Sequence, residues 1–129
     1  MLDTNRILEA ANYDFKGKSV LVTGASGGIG FGIIKKLIDS GASVYSNSRR
    51  KIAKVLENHH HYVGDLSQED FIEDWVETLP KIDGVVYSAG ILETMPIRFA
   101  KKEKMMRIWD INYFSAVTLA SLLIKKRKL

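Results

Sequence analysis

Apolar and polar positions change period several times along the chain, and each change marks an element. From Lys18 to Thr23 the run KSVLVT is short, apolar and β-branched, as a buried strand is. A glycine cluster, Gly24 to Gly30, follows at once. Beyond it Ile29, Ile33, Ile34, Leu37 and Ile38 recur at helical spacing, with Lys35, Lys36 and Asp39 on the other face and Gly41 where a left-handed C-cap falls. Ala42 to Ser48 predicts a second strand, Arg50 to Leu56 a short helix, and His61 to Val63 a brief third strand ending at Gly64. Phe71, Ile72, Trp75, Val76 and Leu79 form the next helical stripe; Ser67, with Asp70 three residues on, resembles its N-cap, and Pro80 ends it. A fourth strand, Gly84 to Ser88, precedes a long helix from about Lys101 to Lys128, with Ile111, Phe114, Val117, Leu119 and Leu122 among its apolar positions.

Strands alternating with helices predict an α/β fold: a parallel sheet covered on both faces, with four strands visible. Trp75 and Trp109 are expected to pack on the sheet, and Met105 and Met106 to fill core or interface. A chain of 129 residues with 46% hydrophobic and 26% charged positions suits one domain. We divide it into an N-terminal extension, residues 1–17, and an α/β domain, residues 18–129.

Composition removes several classes of function. There is no cysteine, which excludes disulfide frameworks and Cys-ligated metal sites. The net charge of +4 is matched by the four cations Lys125, Lys126, Arg127 and Lys128, so the body is balanced and nucleic acid is not an expected partner. These cations are expected to complement the helix dipole in solvent. Asp3, Arg6, Glu9 and Asp14 interrupt any apolar leader, and no apolar run approaches about 18 residues, so a cytoplasmic protein without membrane attachment is expected. His59, His60 and His61 alternate sides in an extended segment; they read as a surface cluster, and no metal site is assigned.

The chemistry concentrates at the glycine turn. A diphosphate needs several backbone N–H donors converging on it, and side chains at the turn would hold it away. Thr23-Gly24-Ala25-Ser26-Gly27-Gly28-Ile29-Gly30 meets this need between a strand and a helix start. The strict G-x-G-x-x-G pattern fails, since Ile33 stands at the third glycine position. Gly17-Lys18-Ser19 looks like the end of a P-loop but precedes the strand, and Asn12 occupies the place of its first glycine.

T-G-x-x-x-G-I-G after a first strand resembles the cofactor turn of the short-chain dehydrogenase/reductase family. Further residues match in order: Gly64-Asp65-Leu66 after the third strand, Tyr87-Ser88-Ala89-Gly90 at the end of the fourth where the family usually has N-N-A-G, and Asp110-Ile111-Asn112 in the following helix. The match covers nearly all of the chain from residue 15 onward. It implies a Rossmann-type, doubly wound sheet of strand order 3-2-1-4 and a coenzyme held by Thr23, Gly24, Ser26, Gly28, Ile29 and Gly30, with Asp65 and Leu66 at the adenine and Ser88, Ala89 and Gly90 lining the adenosine side. It also implies that Asn112 supports the catalytic lysine. Tyr87 departs from the family's asparagine.

An NAD enzyme of this architecture carries a carboxylate at the end of the second strand. Here that strand ends Asn47-Ser48-Arg49-Arg50, with no acid. A hydroxyl and a guanidinium suit the 2′-phosphate, so Ser48 and Arg49 point to NADP over NAD, as in family members with Ser-Arg at this place.

Family reductases need a tyrosine with a lysine four residues on. Four residues after Tyr13, Tyr45, Tyr62, Tyr87 and Tyr113 stand Gly17, Arg49, Leu66, Ile91 and Val117, so the pair is absent. The expectation is therefore the cofactor half of an NADP-dependent oxidoreductase, similar to the 3-oxoacyl-[acyl-carrier-protein] reductase branch. It stops before the fifth strand, is inactive by itself, and belongs to a homo-oligomer that acts on a small carbonyl or alcohol in full-length form. A non-catalytic dinucleotide-binding module is one alternative. A nucleotide-sugar epimerase or dehydratase fragment is another, because the turn also fits T-G-x-x-G-x-x-G.

Overall fold

In the computed structural model, which describes residues 13–129, the apolar run after Lys18 forms β1 (Ser19–Thr23), buried from Val20 onward. β2 (Ser43–Ser48), β3 (His59–Val63) and β4 (Gly84–Tyr87) complete a parallel sheet in the order β3-β2-β1-β4. Alternation along β1 feeds two layers. Val20 and Val22 join Ile34 of α1 (Gly28–Asp39) together with Ala42 and Val44. Leu21 joins Ile72, Trp75 and Val76 of α2 (Glu69–Thr78) and, from the last helix, Leu119 and Leu123. Each fully buried aliphatic side chain of this kind contributes roughly 1.5–3 kcal/mol.

α1 ends as its sequence predicts. Gly41 has φ +94°, and the amides of Gly41 and Ala42 donate to the carbonyls of Ile38 and Leu37. Phe15, within the expected extension, packs on the α1 side of the sheet and donates its amide to Ser40 O at 2.8 Å. Residues 1–12 of that extension lie outside the described residues.

Five expectations are corrected. First, the long helix runs from Lys102 to Lys125 but is not α throughout: α3 (Lys102–Trp109) and α4 (Ser115–Lys125) are joined by a π turn (Asp110–Phe114). The Tyr87 hydroxyl donates to Ile111 O at 2.6 Å, while the Ser115 amide bonds back to Asp110 O, so one residue is inserted in the turn. Second, Trp109 does not pack on the sheet, and Met105 and Met106 stay out of the core; all three are exposed on α3, which buries none of its residues. Third, Ser67 does not cap α2; its amide instead donates to Asp65 Oδ1 at 2.9 Å, and the helix starts after Gln68. Fourth, the basic tail serves the neighbouring helix. Lys126 pairs with Glu77, and Lys128 Nζ donates to the carbonyls of Glu77 and Leu79 at the C-terminal end of α2.

The fifth correction concerns β3 and the segment before it. No helix forms between Arg50 and Leu56, and β3 begins at His59, which is buried. A seven-residue helix with cations at Arg50, Lys51 and Lys54 has little intrinsic stability. Its backbone groups are also bonded elsewhere. Ser48 Oγ donates its single proton to Arg50 O at 2.5 Å, so His61 Nε2, 3.0 Å from the same oxygen, is the donor to it. His61 Nδ1 then accepts from Ser46 Oγ at 2.8 Å, and Ser46 accepts from His59 Nε2 at 2.7 Å. His59 Nδ1 accepts the Leu56 amide at 3.4 Å. The histidines are therefore neutral links in a polar chain, while His60 stacks on Tyr45 at 4.7 Å.

Burial holds the His59 imidazole below its ordinary pKa, helped by repulsion from His61 and His60. Burial also lowers His61, against the pull of the Arg50 carbonyl. Above the unfolded value near 6.5 both states are neutral; below it the unfolded chain takes up protons first, so stability falls with pH until the folded histidines titrate. The expected outcome is a lower Tm at about pH 5.5 than at about pH 7.5, with a shallower fall in the His59→Gln/His61→Gln double variant. Equal slopes in the two proteins would remove the histidines as the cause.

Candidate functional site

A cleft of about 170 Å³ opens where β1, β2 and β4 end. It lies at the point where the strand order reverses, between β1 and β4, the place where open α/β sheets bind ligands. Thr23 builds its floor. Fully buried, its Oγ1 accepts the amides of Ser88 and Ala89, both at 3.1 Å, and so ties the end of β1 to the segment after β4. On the other side the Ala25 amide donates to Asn47 O at 3.0 Å.

Glycine is required at two positions. Gly24 has φ +73°, and a Cβ there would lie 2.8 Å from the backbone of Ser88 and Ala89. A Cβ on Gly30 would lie 2.2 Å from Gly24 O, so only glycine lets α1 begin this close to the turn. α1 has no side-chain cap and no acidic residue in its first turn, which leaves its leading amides without a side-chain acceptor. The turn thus fits a diphosphate: it presents bare donors, a positive helix end and no side chain where the anion would sit.

Nine of the sequence-chosen residues meet in the cleft: Gly24 and Ser26 from the turn, Ser48 and Arg49 after β2, Asp65 and Leu66 after β3, and Ser88, Ala89 and Gly90 after β4. Thr23 and Gly30 lie beneath it as supports. Gly28 lines a second hollow, with Lys51 and Lys54, and Ile29 is exposed on α1. Ser48 is buried, its proton committed to Arg50 O. Asp65 closes its own turn through Ser67. Asn112 does not line the cleft; its amide exchanges hydrogen bonds with the Ile91 backbone, accepting from N at 2.8 Å and donating to O at 2.9 Å.

Sequence reading missed Gly27, Asn47, Ile91 and Ile111, which also line the cleft. Asn47 carried a signal, since a buried amide inside an otherwise strand-forming run must find partners. It donates to Tyr62 O at 3.3 Å and Gly64 O at 3.1 Å, binding β2 to the turn after β3. Tyr87, where the family asparagine is absent, anchors the π turn, and burial raises its hydroxyl pKa against the lowering influence of the nearby Ser115 hydroxyl. Among the described residues no group of three His, Asp or Glu side chains could hold a metal.

The short chain dehydrogenase family model matches residues 18–128, almost the whole described chain. The protein belongs to the short-chain dehydrogenase family. Its relatives include a 3-oxoacyl-[acyl-carrier-protein] reductase of Rickettsia typhi, 34% identical over 120 residues, covering 88% of this chain and 49% of the relative. A benzil reductase of Saccharomyces cerevisiae is 31% identical over 126 residues, covering 82% of this chain and 47% of the relative. Among solved structures, ligand-free aldohexose dehydrogenase of Thermoplasma acidophilum superposes with a TM-score of 0.78 at 26% identity, covering 88% of this chain and 44% of that one. This short-chain dehydrogenase chain spans about half the length of the curated relatives it matches. No helix among its described residues is long and apolar enough to cross a membrane.

Gly24→Ala should lower Tm and abolish coenzyme binding together, because the added methyl meets backbone and the residue is in the left-handed region; a cost of about 1–3 kcal/mol is expected. Thermal melts and dinucleotide titration check it, and unchanged binding would show that the close approach does not shape the cleft.

Proposed function

We propose that the chain is the coenzyme-binding portion of an NADP-dependent oxidoreductase that interconverts a small carbonyl compound and its alcohol. The observation that carries this reading is the end of β2. Arg49 lines the same cleft as the glycine turn, and the segment Asn47-Ser48-Arg49-Arg50 holds no carboxylate to repel a 2′-phosphate. The diphosphate would rest on the amides from Gly24 to Gly30, the adenine beside Asp65 and Leu66, and the adenosine side along Ser88, Ala89 and Gly90. When bound, the coenzyme supplies or takes up hydride.

The 129-residue chain has no tyrosine followed by lysine four residues on, so the usual proton donor to a carbonyl oxygen is missing from it. Binding without turnover is the expected behaviour of this chain. Exposed Trp109, Tyr113, Phe114 and Val117 on the α3–α4 side suit an interface between copies, and a homo-oligomer in the cytoplasm is the assembly we propose.

Titration of NADPH and NADH against the chain tests the reading. NADPH should bind more tightly, and Arg49→Ala should weaken NADPH roughly tenfold or more while leaving NADH nearly unchanged, as loss of a charge-assisted contact does. Equal affinity of the parent for both coenzymes would discard the NADP assignment. Oxidation of NADPH with a panel of ketones should be absent, and turnover would contradict the binding-only behaviour.

A further inference from the structure

The hydrogen bonds that replace the expected helix after β2 form one continuous line. It runs in a single direction, from the Leu56 amide through His59, Ser46, His61 and Ser48 to the Arg50 carbonyl. Its two ends clamp the start and the finish of the same connection. The last bond, Ser48 Oγ to Arg50 O, spans Arg49, so that residue is the middle of a closed turn. His61 itself does not line the cleft.

We propose that His61 is a positioning residue for coenzyme selection, holding the Ser48 oxygen so that the turn carrying Arg49 stays closed beside the cleft. The inference rests on the reading that the cleft takes NADP. A serine hydroxyl has one proton, and here it goes to Arg50 O; the oxygen then accepts from His61 Nε2, which leaves a single lone pair. A lone pair repels a phosphate oxygen but can accept from a ribose hydroxyl. Ser48 therefore gives the 2′-phosphate nothing, and discrimination passes to Arg49 and to whatever fixes its backbone.

Two experiments test this on the 129-residue chain. The first needs no coenzyme: two-dimensional ¹H–¹⁵N spectra of the imidazoles near neutral pH should show both His59 and His61 protonated on Nε2 alone. An Nδ1–H tautomer or an imidazolium at His61 would overturn the proposal whether or not any dinucleotide binds. The second compares affinities. His61→Leu should raise the Kd for NADPH roughly tenfold with the Kd for NADH nearly unchanged. His61→Gln, whose amide can donate to Ser48 and accept from Ser46, should restore NADPH binding. If Ser48 were instead a direct phosphate donor, freeing it from His61 would leave NADPH binding unchanged or tighter, and that result would overturn the proposal. Equal weakening of both coenzymes in His61→Leu, with no rescue by glutamine, would reduce His61 to a general packing role. A parent that binds neither coenzyme refutes the NADP reading itself, while the tautomer spectra still decide the line of bonds.

Discussion

How closely α1 can begin to the strand before it governs the rest of the cleft. The carbonyl of Gly24 and the backbone of Gly30 approach so tightly that a methyl on residue 30 would fall 2.2 Å from the oxygen. That contact brings the leading amides of α1 to the strand ends instead of setting them a side chain away. Thr23 completes the arrangement from below, since its hydroxyl oxygen is the acceptor for two consecutive amides after β4. With either absent, the ends of β1 and β4 would part, and the point where the strand order reverses would no longer be a walled cleft.

Much of this was legible from residue types. The strands, their parallel pairing and α1 with its glycine C-cap follow from periodicity and from turn chemistry that acts locally, whereas the gathering of Gly24, Asp65 and Ala89 in one cleft was implied by the family resemblance. What was not legible depends on partners distant in sequence. Trp109 sits in a helical stripe that promises burial, yet it is left half exposed, meeting the edge of the Tyr113 ring instead of the sheet. Asn112 looks like a solvent-facing helix residue until Ile91, far back along the chain, is placed against both ends of its amide. The phenyl ring of Phe71 lies where a Cβ of Gly64 would be, so that glycine serves packing as well as its turn.

The histidine triplet shows why composition misleads at an edge strand. Alternation along β3 places His59 and His61 on one face and His60 on the other. A run that looks uniformly polar is therefore split between two environments. The pair on the β2 side is tolerable away from solvent because Ser46 and Ser48, at matching spacing on β2, meet three of the four ring nitrogens and the Leu56 amide meets the fourth. Two serines in a strand and two histidines in its neighbour thus read as surface when taken separately and as interior when paired.

The π turn has a consequence that can be counted in degrees. One extra residue in a helical turn rotates everything beyond it by about 100° relative to an unbroken α-helix. Leu119 and Leu123 reach the core, and Val117 and Ile124 face away, only with that rotation in place. Deleting a single residue between Asp110 and Phe114 would restore an ordinary helix and swing the two leucines off the sheet. For this helix, length matters as much as identity: insertions and deletions here act like substitutions at every position downstream.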